Sequence, residues 1–130
     1  MVPEPRSADH ELTTTDWMNA GGRLSLRVSR PTPRTVLVRV TGEVDLSTAR
    51  RLDEVLHSRI RGPVGEVVID LAGVTFFSVA GLNSLLRAQL LADAAGALLT
   101  VDPGGSRAVQ RLFTLLPMDF YGVMSPRPVA

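Results

Sequence analysis

The chain has no cysteine and no lysine, and only two histidines, His10 and His57, among its 130 residues. Without cysteine there can be no disulfide, no thiolate zinc site and no thiol redox chemistry. With two imidazoles, a histidine-based metal or catalytic centre is not expected. Charge of one sign is also lacking: arginine supplies all 14 basic residues against 13 acidic ones, a formal net charge of +1. That balance gives no electrostatic reason to expect direct DNA or RNA binding, or adhesion to an anionic membrane surface. No run approaches 18 consecutive apolar residues, so no membrane span is expected. The start of the sequence lacks the basic-then-apolar pattern of a secretory signal, and the expected location is cytoplasmic.

The length fits one domain with a real hydrophobic core. Residues 1–22 are polar, contain Pro3 and Pro5, and end in Gly21-Gly22. They read as a flexible N-terminal tail in which Trp17 is the one anchor for docking or for a partner. The domain is expected over residues 23–123, with a second tail at 124–130. Leu24, Leu26 and Val28 alternate with Arg23, Ser25 and Arg27, the pattern of a half-buried strand. A Pro-containing loop leads to a second strand over residues 35–41, and the pair suggests an antiparallel hairpin. The chain is then expected to leave the sheet at Gly42, with Ser47 as the N-cap of a first helix. That helix carries an apolar stripe of Ala49, Leu52, Val55, Leu56 and Ile60 and ends at Gly62-Pro63.

The most informative stretch is Val67 to Leu86. A β-branched run, Val67 to Leu71, reads as a buried strand, with Ala72-Gly73 breaking it. Ser78 then stands where an N-cap belongs, its hydroxyl placed to accept from the amide of Ala80 or Gly81. Leu82, Leu85, Leu86 and Gln89 recur at helical spacing after it. Of the two neighbouring phenylalanines, Phe76 is expected to be the more buried. Gly96 ends this helix, residues 97–101 form a short strand, and Ser106 caps a third helix with Val109, Leu112, Phe113 and Leu116 on one stripe. Residues 119–123 are a candidate edge strand. The order predicts an α/β fold: a mixed sheet of four to five strands with amphipathic helices packed on it.

Two motifs in this layout resemble the STAS domain family, which includes anti-sigma factor antagonists and cytoplasmic domains of sulphate transporters. Gly42-Glu43-Val44-Asp45-Leu46-Ser47-Thr48-Ala49 resembles the family's G-E-[LIV]-D-[LIV]-x-[TS]-A. Val74-Thr75-Phe76-Phe77-Ser78-Val79-Ala80-Gly81-Leu82 resembles V-x-F-[LIM]-D-S-[ST]-G-L. A weaker third match, residues 103–116, resembles the family's late P-x-x-x-R-x-[LF] helix. The resemblance covers residues 24–121. It implies the STAS fold and a non-enzymatic anti-sigma factor antagonist without cofactor. Such a protein binds an anti-sigma factor, often a serine kinase of the histidine-kinase-like ATPase fold, and so frees a sigma factor. In this partner switching, kinase phosphorylation at the start of the second helix ends binding and a phosphatase restores it. A phosphate adds about −1.5 to −2 charges at neutral pH, tolerated at a helix N-terminus but costly within a partner interface.

The sequence departs from the pattern at the switch itself. Ser78 stands at the family's Asp position, and Val79, which has no hydroxyl, stands at the usual phospho-acceptor position. Either Ser78 is the acceptor, displaced by one residue, or the site is not phosphorylated and Ser78 is simply a cap. The resemblance assigns partner contact to Glu43, Asp45, Ser47 and Thr48 in the loop. At the helix start it assigns contact to Phe77, Ser78, Val79, Gly81, Asn83 and Ser84. Turn chemistry, core burial and ordinary solvation are the alternative roles of these residues. Two further readings stay open: an accessory subunit of a transporter or stressosome-like assembly, and a sensor of nucleotide or another small ligand. A serine hydrolase is disfavoured, because Phe76 and Ala80 occupy the glycine positions of a nucleophile elbow.

Overall fold

Alternating apolar residues make strands only if one face is covered, and here three helices cover it. The computed structural model describes residues 15–18, 22–61 and 65–115. In chain order the elements are β1 (Thr15–Met18), β2 (Leu24–Thr32), β3 (Thr35–Val44), α1 (Ala49–Ile60), β4 (Glu66–Phe77), α2 (Val79–Ala95), β5 (Leu98–Asp102) and α3 (Arg107–Phe113). The five strands form one sheet in the order β1-β2-β3-β4-β5. β1, β2 and β3 pair antiparallel, while β3, β4 and β5 pair parallel. This is the mixed sheet expected from the alternation of strands and helices.

The core lies on one face of the sheet. Leu24, Leu26 and Val28 from β2, Val36, Val38 and Val40 from β3, and Val67, Ile69 and Leu71 from β4 line it. Leu52, Leu56 and Ile60 of α1 and Leu85, Ala88 and Ala92 of α2 close it from above. Each full-sized aliphatic buried this way contributes about 1.5–3 kcal/mol. On the opposite face Leu37 and Val68 are also buried, while Arg39 and Asp70 form an ion pair at 3.3 Å. The α1 stripe is as predicted, with Val55 only partly covered.

Several boundaries differ from the sequence reading, each for a local reason. The strand-forming chain begins before residue 23: β1 lies inside the stretch read as a tail, with Trp17 opposite Leu26. β3 does not end at Thr41 but continues to Val44, and β4 is not broken at Ala72-Gly73 but runs to Phe77. Two register shifts, between Arg39 and Thr41 and between Gly42 and Glu43, absorb the irregular residues without breaking the ladder. Each leaves an extra residue on β4, as in a β-bulge. Gly42 permits the continuation: its φ is +104°, and a Cβ there would lie 2.1 Å from the Arg23 carbonyl oxygen. That carbonyl accepts the Glu43 amide at 2.8 Å. α2 ends at Gly96 in the left-handed conformation, φ 74°, as a C-cap glycine should. α3 ends at Phe113. The candidate strand at 119–123, the C-terminal tail and the first 14 residues lie outside the described residues.

Candidate functional site

The β3–α1 loop is built around one carboxylate. Asp45 Oδ1 accepts the Ser47 amide at 2.9 Å, the Ser47 hydroxyl at 2.8 Å and the Thr48 amide at 3.1 Å. This is an Asx turn closing the first turn before α1. Asp45 Oδ2 accepts from Arg23 at 2.7 Å, and the same guanidinium donates to Ser47 Oγ at 2.5 Å and Glu43 Oε1 at 3.3 Å. The hydrogen bond from Ser47, then that from Arg23, holds the Asp45 carboxyl well below the usual carboxylate range. Ser47 is therefore not the N-cap. Thr48 is the residue preceding α1, and its side chain makes no cap bond. Its hydroxyl instead donates to the Glu43 carbonyl at 2.8 Å and accepts the Asp45 amide at 2.9 Å, fully buried.

The start of α2 is tied to the same loop. The Ser78 amide donates to the Val44 carbonyl at 2.9 Å, joining the end of β3 to the helix start. Ser78 has extended φ/ψ and its hydroxyl accepts the Ala80 amide at 3.2 Å, the predicted cap. Gly81 makes this junction possible. A Cβ there would meet Phe77 Cε1 at 2.7 Å and Val44 Cγ1 at 2.8 Å. Phe77 in turn packs edge-on against Phe113, ring centroids 6.3 Å apart. Ser106 pins α3 beside it: its buried hydroxyl donates to the Val74 carbonyl at 2.6 Å and accepts the Val109 amide at 3.2 Å.

Loop and helix start thus converge at one end of the sheet, as expected, but the division of labour is different. Thr48, Phe77, Gly81 and Ser84 are buried and have almost no surface to offer a partner. Phe77 and Phe76 exchange the places expected of them: Phe77 is buried and Phe76 is 51% exposed. Ser84, expected among the partner contacts, donates to the Ala80 carbonyl at 3.2 Å and lies at the α1–α2 contact. Leu86, which recurs at helical spacing with the buried Leu82 and Leu85, is 39% exposed. What reaches the surface is Glu43, Asp45, Ser47, Ser78, Val79 and Asn83, with Val79 61% exposed.

Three surface contributors escaped the sequence reading. Leu46, 85% exposed, sits inside the first motif as a generic aliphatic position. Phe76 was assigned to the core. Arg23 looked like the solvent side of a strand, yet it organises the loop across 20 to 24 residues of sequence. A groove of about 350 Å³ opens between the starts of α1 and α2, lined by Leu46, Arg50, Asp53, Ala80, Asn83 and Arg87. Arg87 crosses it to pair with Asp53 at 2.6 Å. The site is therefore a surface of exposed apolar side chains on a rigid hydrogen-bonded frame, which suits binding a macromolecule.

Comparison with known proteins places this architecture. No curated protein sequence matches the chain. Among solved structures, an anti-sigma factor antagonist from Mycobacterium paratuberculosis is similar at TM-score 0.68 and 22% identity, covering 82% of this chain and 86% of that one. SpoIIAA, an anti-sigma factor antagonist, is similar in its unphosphorylated form at TM-score 0.66 and 17% identity, covering 79% and 88%. The phosphorylated form of Bacillus SpoIIAA is similar at TM-score 0.63 and 16% identity, covering 79% and 91%. These likenesses establish a shared fold. The family model described as "Mlab, STAS domain" matches residues 28–123, most of the chain and both motifs, and the chain belongs to the STAS domain family.

Proposed function

We propose that the chain is an anti-sigma factor antagonist that acts by partner switching. It binds an anti-sigma factor and so releases a sigma factor, without catalysis and without a cofactor. The observation that carries this reading is the paired exposure of Leu46 and Val79 on the rigid junction between the β3–α1 loop and the α2 start. Apolar side chains of that size, held on a preorganised frame, bind with little ordering cost. Two of the similarly folded proteins described above are anti-sigma factor antagonists, which supports the same class of partner. The partner we infer is an anti-sigma factor of the histidine-kinase-like ATPase fold, met in the cytoplasm. Among the described residues no helix is long and apolar enough to cross a membrane.

In this proposal Glu43, Asp45, Ser47, Ser78, Val79 and Asn83 touch the partner, together with Leu46. Thr48, Phe77, Gly81 and Ser84 support them from below. Domain limits of 23–123 extend in this reading to include β1. Control by phosphate is the point where the chain departs from its family pattern. Val79 has no hydroxyl, and Ser78 Oγ is held against the Ala80 amide as a cap. We take Ser78 to be structural first, so that binding is constitutive and no phosphatase is needed to restore it. The test is release of sigma factor. The chain is titrated into a preformed complex of sigma factor and kinase-fold anti-sigma factor, and free sigma is read by size-exclusion chromatography. Stoichiometric release without ATP consumption supports the proposal; an intact complex at excess chain overturns it.

A further inference from the structure

Helix α2 is apolar on two faces, and the core uses only one. Gly81, Leu82, Leu85, Ala88 and Ala92 are buried. Val79, Asn83, Leu86 and Leu90 follow one another at spacings of four, three and four residues, which sets them in a single row on the opposite side. Val79 is 61%, Leu86 39% and Leu90 70% exposed, and Asn83 is exposed as well. A surface helix ordinarily turns polar residues to that side. Here the row is apolar for about 16 Å, at 1.5 Å per residue, with Asn83 as its one polar member. It starts at Val79, within the proposed partner site, and runs on toward the helix C-terminus.

Charge identifies the flank. The groove between α1 and α2 lies along the row's Asn83–Arg87 side and contains Arg50, Asp53 and Arg87. It is followed by a second hollow of about 210 Å³ lined by Leu56, His57, Ala88 and Leu91. Arg87 is neutralised by Asp53, whereas no ion pair is found for the exposed Arg50 among the described residues. The groove therefore keeps an excess cation beside an apolar row.

We infer that this row and its basic flank form the remainder of the partner interface and receive one amphipathic helix of the anti-sigma factor. That helix lays its apolar face on Val79, Leu86 and Leu90 and points a carboxylate at Arg50. The inference rests on the function proposed above and adds the shape and charge of the partner segment. A row at alternating spacings of four and three matches the ridges of another helix. A polar residue within such a row fixes register, the role an Asn plays in helix pairing. A second copy of the chain fits less well: antiparallel pairing of two α2 helices about a two-fold axis sets the two Arg50 flanks on the same side of the pair, cation beside cation.

The test uses the full chain, titrated calorimetrically with purified kinase-fold anti-sigma factors of its host. Leu90→Glu and Arg50→Glu are surface changes, and unaltered thermal melts confirm that the variants fold. If Leu90→Glu is unstable, Leu90→Gln takes its place. The inference expects Leu90→Glu to weaken binding at least tenfold and Arg50→Glu severalfold, the latter with a reduced dependence on salt. Full affinity in Leu90→Glu beside weak binding in Val79→Asp would end the contact at the helix start, overturning the inference and leaving the proposed function. No binding by the unsubstituted chain overturns both. A dimer of the chain alone, split by Leu90→Glu in sedimentation, assigns the row to a second copy and overturns the inference.

Discussion

Replacing Gly81 with alanine sets two effects of opposite sign against each other. Alanine is favoured over glycine inside a helix by about 1 kcal/mol. The added methyl, however, would sit 2.7 Å from Phe77 Cε1, 2.8 Å from Val44 Cγ1 and 2.9 Å from Phe77 Cζ. Neither neighbour can retreat cheaply. Val44 is fully buried, and the Phe77 ring is backed by Phe113. Overpacking of this kind costs about 1–3 kcal/mol, so Gly81→Ala is expected to destabilise by about 1 kcal/mol net. Gly81→Val, which adds two more methyl groups and forgoes most of the propensity gain, is expected to lose about 3 kcal/mol. For a chain of this length 1 kcal/mol corresponds to about 4 °C in Tm. Gly105→Ala is the control, because nothing lies within 4 Å of its added Cβ. Differential scanning calorimetry of the three variants reads the outcome. A Gly81→Ala variant that melts at or above the parent would show that close packing at the α2 start is not what the glycine serves.

Other expectations concern the frame of the site and its switch. Asp45, held below the usual carboxylate range by Ser47 and Arg23, contributes stability above its unfolded pKa of about 3.9. That contribution is lost progressively as pH falls below about 4 toward the lower folded value. The Tm gap between parent and Asp45→Asn should be widest near neutrality and shrink in acid, and a gap independent of pH would contradict this. Ser106→Ala strands the Val74 carbonyl and Val109 amide that its buried hydroxyl bridges, at a cost of about 1–3 kcal/mol; urea melts check it. Incubation with the kinase and ATP should leave the intact mass unchanged, and a single phosphate mapped to Ser78 would show instead that the acceptor has moved by one residue.

What could be read from the sequence was what depends on near neighbours. The Ser78 cap, the Gly96 stop and the Ser106 cap rest on bonds spanning two to four residues, and all are in place. The α1 stripe follows from helical spacing alone. The parity of Phe76 and Phe77 was not legible, because it depends on the register shift between Gly42 and Glu43 that lets β4 gain a residue against β3. The inward face passes from Leu71 to Val74 across the first shift and from Val74 to Phe77 across the second, whereas simple alternation counted from Val74 names Phe76. Ser84 misleads for another reason: its hydroxyl is satisfied by the carbonyl one turn earlier, so a polar residue can be buried at little cost. Arg23 and the Asp45 turn meet only once β2 and β3 have paired. The partner surface was legible as a place, while its exposed members were not, since Leu46 and Phe76 look like core residues in any pattern of hydrophobicity.

The most direct test of the central claim is the affinity of Val79→Asp for the anti-sigma factor, set beside its thermal stability. Val79 is 61% exposed at the first position of α2, where a carboxylate is compatible with the free amides of the helix start. Stability should stay within about 0.5 kcal/mol of the parent, while affinity should fall at least tenfold, because a charge would then be buried against the partner without a counterion. Unchanged affinity in a fully folded Val79→Asp protein would mean that the partner binds elsewhere.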